Sequence, residues 1–147
     1  MSGPEAIEAG LLETLRQILP TNGYETDLGA RVFVGHTYTD SDPAPLMVVG
    51  DFDDEYLGRV GAGVRKGEVT FPFEVWVDGV GAASRPLVHQ LLRDLKRAFA
   101  RPTSALLRAT QGADGRPTLH VRADPQPGSQ LTLIEASYTA GYQEQLG

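Results

Sequence analysis

The fold of this chain is decided by residues 68–99, which read EVTFPFEVWVDGVGAASRPLVHQLLRDLKRAF. From Val69 to Val77 every second residue is Val or Phe, which predicts a strand with one buried face. After a glycine-containing turn, apolar residues recur every three or four positions from Leu87 to Phe99. This spacing predicts an amphipathic helix at about residues 84–99. We expect the helix to lie across the Val/Phe face of the strand.

The remaining elements are predicted from shorter signals. An apolar stripe predicts a first helix at about residues 4–19, which Pro20 ends. Short strands are predicted at 31–37, 46–49 and 118–122, a helical turn at 104–110, and a long last strand at 131–142. The glycine-rich stretch 50–67 is predicted to be an irregular loop. The order of elements favours one α+β domain over residues 1–147, with a mostly antiparallel or mixed sheet and two main helices.

Composition excludes several classes of chemistry. The chain has 147 residues, a net charge of −6 and no cysteine. Disulfides, zinc–thiolate sites and cysteine nucleophiles are therefore excluded. No apolar run approaches the roughly 20 residues of a membrane span, so no membrane partner is expected. The first ten residues lack the pattern of a secretory signal peptide, and we expect synthesis in the cytoplasm.

Catalytic patterns are weak in this sequence. The three histidines, His36, His89 and His120, are scattered and do not form a metal-binding motif. Asp51, Asp53 and Asp54 could bind a hard cation, but their spacing departs from the calcium-loop pattern after its third position. A solvated acidic loop is the simpler interpretation. We expect no catalytic residue and no cofactor, and a small metal-dependent enzyme remains an alternative, as does a monomeric ligand-binding module.

Charge in the stretch 50–67 is divided into an acidic first part and a basic second part, which could contact oppositely charged surfaces on a neighbour. Trp76 lies on the polar face of the central strand. Either the N-terminal helix covers that face, or the face belongs to a protein–protein interface, where Trp is enriched. The candidate interface residues are Asp51, Asp53, Asp54, Arg59, Arg65, Lys66 and Trp76.

Two motifs in the sequence carry a resemblance to a known class of proteins. The first is Gly23-Tyr24-x-Thr26-Asp27-x-Gly29, which leads into a predicted strand. The second is the helical segment LRDLKRAF, residues 92–99. With the N-terminal helix and the last strand LTLIEASYTAGYQE, they make most of the chain resemble the tail terminator, or tail completion, proteins of long-tailed bacteriophages. This resemblance implies a structural virion protein and not an enzyme.

The resemblance also implies partners. A tail terminator assembles in the host cytoplasm as a homo-oligomer, expected to be a hexameric ring, on the head-proximal end of the tail tube. There it stops polymerisation of the tube protein and gives the neck or connector protein a surface to dock on. DNA passes through the lumen without specific binding, and an acidic inner wall would keep DNA from sticking. Another head–tail connector or neck subunit is the alternative within this class.

Overall fold

The computed structural model describes residues 3–35, 43–61, 63–110, 115–124 and 127–145, and it places three helices on one face of a six-stranded sheet. The elements in chain order are α1 (Gly3–Arg16), β1 (Val32–Val34), β2 (Leu46–Val49), β3 (Asp53–Gly61), β4 (Val64–Asp78), α2 (Arg85–Ala100), α3 (Ser104–Ala109), β5 (Arg116–Ala123) and β6 (Leu131–Gln145). Short 3-10 turns lie at Pro20–Asn22, Leu28–Arg31 and Gly81–Ala83.

β4 organises the sheet, whose strand order is β1-β2-β4-β6-β5. One edge of β4 pairs with β6 over fifteen residues, from Val64 opposite Gln145 to Asp78 opposite Leu131. Its other edge is shared: β2 pairs with residues 73–76, and β3 pairs with residues 64–70. The β1–β2 pair is parallel, and every other strand pair is antiparallel. The predicted α+β domain with a mixed sheet and two main helices is confirmed.

The Val/Phe face of β4 and the helical stripes form one core, as the spacing predicts. The aromatic rings of Phe99 on α2 and Tyr138 on β6 stack with their centroids 5.4 Å apart. α1 packs closely on α3, since a Cβ added at Gly10 would lie 2.6 Å from Leu106 Cα. The buried apolar side chains that build this core include Ile7, Leu11, Leu15, Val69, Phe71, Phe73, Val75, Val77, Val88, Leu91 and Leu95.

The predicted boundaries of the helices are close to the observed ones, except at the end of α1. The helix ends at Arg16 and not at residue 19. Leu19 is extended (φ −139°, ψ 145°) because the ring of the following Pro20 disfavours the helical conformation there. The strand predicted at 31–37 is observed as β1, and its residues 36 and 37, with His36, lie outside the described residues.

The prediction of an irregular loop at 50–67 is wrong. Residues 53–61 form β3, which pairs with β4 as an antiparallel hairpin. The glycines that suggested a loop have other roles. Gly58 lies at a bulge with φ +113°, and Gly63 lies at the hairpin turn with φ +74°. β4 accordingly begins at Val64, inside the stretch that was predicted to be a loop.

The expectation that the N-terminal helix covers the Trp76 face is also wrong. The apolar stripe of α1 belongs to the same buried cluster as Phe71, Phe73 and the stripe of α2. α1 therefore packs on the Val/Phe face beside α2 and α3. The opposite face of the sheet, which carries Trp76, has none of the three helices against it, and we call it the open face.

Candidate interaction surface

β3 is the most exposed strand of the described chain, and it forms a hairpin with residues 64–70 of β4, which we call the arm. Every residue of β3 is exposed except Gly58, which is half-buried. The side chain of Tyr56 is 65% exposed. The first part of β4 is held between β3 on one edge and the end of β6 on the other. The inner strand of the arm is thus paired on both of its sides. β3 is an edge strand, which among the described residues is paired only with β4.

Two β-bulges bring apolar side chains to the surface of the arm. At each of two places along the hairpin, β3 has one extra residue relative to β4. The extra residues are Leu57 and Val60, which have no cross-strand partner. These side chains are 47% and 54% exposed. A bulge re-aims a side chain and bends the edge of a sheet. The bulges therefore place two exposed apolar side chains within four residues of each other.

Charge along the arm changes sign from root to tip. The root carries Asp53, Asp54 and Glu55 on β3, with Glu68 on β4 directly opposite Glu55. The tip carries Arg59 directly opposite Arg65, followed by Lys66. Like charges directly opposite each other destabilise a strand pair. The pairings Glu55–Glu68 and Arg59–Arg65 therefore cost stability unless other groups offset the repulsion.

Contacts within the chain offset part of this repulsion. Arg116 on β5 donates to Glu68 at 2.9 Å, and Glu144 on β6 lies opposite Arg65 in the register. Nη1 of Arg65 is nevertheless buried without a hydrogen-bond partner among the described residues. A buried guanidinium nitrogen without an acceptor is costly, so the charge of Arg65 is only partly compensated within the described residues.

Tyr142 on β6 holds the root of the arm. Its hydroxyl donates to Asp54 Oδ1 at 2.5 Å, and its ring covers Gly67 so closely that an added Cβ would lie 2.4 Å from the ring. Burial, together with the hydrogen bond to Asp54, raises the pKa of the Tyr142 hydroxyl well above its usual value. Because β3 and β4 both contact one buried side chain, the root is fixed to the body of the protein.

A second exposed surface lies where α1 meets the segment before β3. Phe52 is 49% exposed, and its ring centroid lies 5.4 Å from that of the buried Phe71. This surface, which we call the α1 depression, is lined by Glu5, Glu8, Ala9, Leu12 and Phe52. It combines an apolar floor with two carboxylates. An apolar segment that carries positive charge would complement it.

The open face contains a smaller apolar cluster around Trp76. Leu46 and Leu133 are its cross-strand neighbours and are both buried. Trp76 itself is half-buried. Trp76 lies with these two residues in an apolar row across three strands. A role for Trp76 in an interface stays a prediction.

Two carboxylates lie opposite each other beside this cluster. Glu74 and Glu135 are cross-strand partners, and Arg122 donates to Glu135 at 2.5 Å. The hydrogen bond from Arg122 holds the pKa of Glu135 below its usual range. The open face is therefore a mixture of paired charges with one apolar row.

The predicted interface residues are divided among these places. Asp53 and Asp54 lie at the root of the arm, and Arg59, Arg65 and Lys66 lie at its tip. Asp51 is exposed in the segment that precedes β3, and Trp76 lies on the open face away from the tip. Sequence reasoning missed the exposed apolar residues Phe52, Tyr56, Leu57 and Val60 and the acidic residues Glu5 and Glu8. The sequence signal for these apolar residues was their occurrence inside a glycine-rich, charged stretch.

The two motifs of the resemblance contact each other in the fold. Asp94 on α2 is 1% exposed and accepts hydrogen bonds from the backbone N–H groups of Glu25 and Thr26, at 3.0 and 2.8 Å, and from the Thr26 hydroxyl at 2.6 Å. We call these three bonds, with the contacts of Arg93 and Arg97 described next, the Asp94 latch. A buried carboxylate with three donors is well satisfied.

The neighbours of Asp94 extend the latch. Arg93 donates two hydrogen bonds to Glu25, at 2.7 and 2.9 Å, and these lower the pKa of Glu25. Arg97 donates to the carbonyl oxygen of Gly23 and lies over the ring of Tyr24. Both motifs are thus accounted for by packing of the segment 23–27 on α2. They position elements of the fold and lie apart from the arm.

The described residues do not contain a group of three His, Asp or Glu side chains that could hold a metal ion. No described helix is long and apolar enough to cross a membrane. Asp53, Asp54, Glu55, Glu68 and Thr70 line a shallow acidic depression at the root of the arm. No protein-family model matches the chain, and no curated protein matches it.

Proposed function

We propose that the chain is a structural virion protein that caps the head-proximal end of a bacteriophage tail tube as a ring. The observation that carries this proposal is the arm, a fixed and exposed hairpin with apolar side chains at two bulges and opposite charges at its two ends. These are properties of an element that binds other protein surfaces. The resemblance of the two motifs to tail terminator proteins supplies the class of partner.

A closed ring places a physical requirement on each subunit. In a cyclic oligomer larger than a dimer, each subunit offers two different surfaces that complement each other. The arm and the α1 depression are two such exposed surfaces on this chain. The net charge of −6 supports the same proposal, because an acidic lumen repels the phosphate backbone and lets DNA pass.

Growth of the tail tube provides the test of this function. Purified tube protein from the virus or prophage that encodes the chain is allowed to polymerise with and without this protein. We expect the protein to stop elongation at substoichiometric amounts, because it occupies only the growing end. Unchanged tube length at a molar excess over tube ends would contradict the proposal.

A second candidate is another neck or head–tail connector subunit, for which the same arm is suitable. The two candidates differ in the partner that the protein meets first. A terminator binds the tube before heads are present, whereas a neck subunit binds the connector and leaves tube growth unaffected. Co-sedimentation with tubes alone and with connector alone separates them, and binding to the connector alone would favour the neck subunit.

The acidic depression at the root of the arm also allows a direct test of the enzyme alternative. A metal that binds the native state raises the midpoint of thermal unfolding. We expect Mg²⁺, Mn²⁺ and Ca²⁺ at millimolar concentration to leave the midpoint unchanged. A rise with one metal that is lost in the variant Asp53→Asn with Asp54→Asn would support a metal site and count against a purely structural role.

A further inference from the structure

The tip of the arm and the α1 depression are complementary in charge and in apolar character. The tip presents the cations Arg59 and Lys66 beside the exposed apolar side chains of Leu57 and Val60. The α1 depression presents Glu5 and Glu8 beside the exposed ring of Phe52 and the side chains of Ala9 and Leu12. Counting the half-buried Arg65, the tip carries three cations around apolar atoms, and the α1 depression carries two carboxylates around apolar atoms. An apolar contact ringed by complementary charges is typical of a specific interface.

These two surfaces cannot meet within one chain. Phe52 precedes the first residue of β3, and Val60 lies near its end, eight residues later. A strand rises by about 3.3 Å per residue, so the two sites are about 25 Å apart along a paired strand. Tyr142 fixes the root of the arm, which prevents the hairpin from folding back. A contact between the two surfaces would therefore join two molecules.

We propose that the arm tip of one copy docks in the α1 depression of a second copy, with Arg59 and Lys66 against Glu5 and Glu8. The contact joins two different surfaces, so it repeats head to tail and closes a ring or extends a filament. The inference rests on the proposed ring in that it names the contact between neighbouring subunits.

Docking proceeds through side chains at the tip and not through strand addition. Among the described residues β3 pairs only with β4, which leaves its outer edge available. Two bulges interrupt that edge at Leu57 and Val60. Bulges on an edge strand discourage the pairing of another strand, while they direct the same two side chains outward.

Charge reversal with rescue tests the contact. The tip variant carries Arg59→Glu and Lys66→Glu, and the depression variant carries Glu5→Lys and Glu8→Lys. We expect each to weaken self-association by at least about tenfold, measured by sedimentation velocity over a range of concentrations. Combining all four substitutions restores opposite charges across the interface and should return the affinity to near that of the wild type. A control with Arg85→Glu and Lys96→Glu makes the same change in net charge as the tip variant, on exposed positions of α2.

The outcomes of this experiment are distinct. Weakening by each pair with rescue by the four substitutions supports the contact. Equal weakening by the α2 control, or no rescue, would overturn it, as would a wild-type protein that stays monomeric at every concentration. The thermal midpoint of each variant is measured first. If a pair of reversals prevents folding, the cysteine experiment below replaces it.

Cysteine cross-linking gives an independent readout, because the chain has no native cysteine. One preparation carries Val60→Cys at the tip, and another carries Ala9→Cys in the depression. Mixed and oxidised, they should give a cross-linked dimer that contains one of each. A mixture of Val60→Cys with Ala100→Cys, an exposed position on α2, should give much less. Equal yields in the two mixtures would contradict the docking geometry.

A failure of the proposed contact and a failure of the proposed capping function give different experimental results. If the tip–depression dimer forms but tube growth is unaffected, the contact stands and the proposed function is wrong. If tubes are capped but the tip and depression cysteines do not join, the function stands and the subunits meet through other surfaces.

Discussion

At the scale of single residues, the arm depends on a close contact between a glycine and an aromatic ring. Gly67 on β4 has no space for a side chain, because Tyr142 covers it and at the same time donates to Asp54. The same ring thus fixes both strands of the arm root. The sequence shows only a glycine within a charged stretch, and the reason for it lies 75 residues away in the chain.

We predict that Gly67→Ala destabilises the protein by about 2 kcal/mol, because the new methyl group displaces the Tyr142 ring from its position. Urea unfolding followed by circular dichroism measures the change. Gly61→Ala is the matched control on the same arm, since no atom lies within 4 Å of a Cβ at that position. Equal stability of the two variants would show that the ring can move without cost.

The raised pKa of Tyr142 leads to a second prediction, which concerns the pH dependence of the free energy of unfolding. The folded protein holds the phenol proton more tightly than the unfolded chain does, so this contribution to stability is complete below about pH 10 and declines as pH rises above it. The variant Tyr142→Phe lacks the proton. The difference in unfolding free energy between wild type and variant should therefore be about 1.4 kcal/mol smaller at pH 11 than at pH 8. A difference independent of pH would contradict the assignment.

At the scale of elements, the Asp94 latch joins the segment 23–27 to α2. The carboxylate of Asp94 is buried and accepts three hydrogen bonds, while the neighbouring Arg93–Glu25 pair lies at the surface. A buried, fully bonded acceptor contributes more to stability than an exposed ion pair. The two motifs that support the resemblance therefore preserve the fold, and neither supplies a contact of the arm.

We predict that Asp94→Ala lowers the free energy of unfolding by about 3 kcal/mol, because it leaves two backbone N–H groups and a hydroxyl without their acceptor. Arg93→Ala removes only an exposed pair and should cost less than about 1 kcal/mol. Chemical denaturation of both variants makes the comparison. A similar loss in both would show that the latch is held by its surface charges.

At the scale of the whole molecule, sequence patterns predicted the parts of the fold that have one buried face. The alternation in β4 and β6 and the stripes of α1 and α2 gave the elements and the core. β3 was missed because all of its residues except Gly58 are exposed, so it has no alternation of buried and exposed side chains, and its glycines resemble loop signals. The hydrogen bonds of β3 are made with β4, and this pairing cannot be read from the residues of β3 alone.

The sequence also could not predict on which face of the sheet α1 packs. Trp76, Leu46 and Leu133 make the open face partly apolar, so either face of β4 could accept a helix. For the candidate site, the charges of 51–66 were visible in the sequence. The register of β3 with β4 was needed to show that these charges are separated along one hairpin and that apolar residues lie between them.

Electron microscopy of tail tubes tests the central claim most directly. Negative-stain images are recorded of tail tubes from the virus or prophage that would encode the chain under the proposed function, with and without the purified protein. We predict a ring on one end of each tube with the wild-type protein. The tip variant with Arg59→Glu and Lys66→Glu should leave most ends bare if rings form through the arm. Bare tube ends and monomeric particles with the wild-type protein would contradict the account.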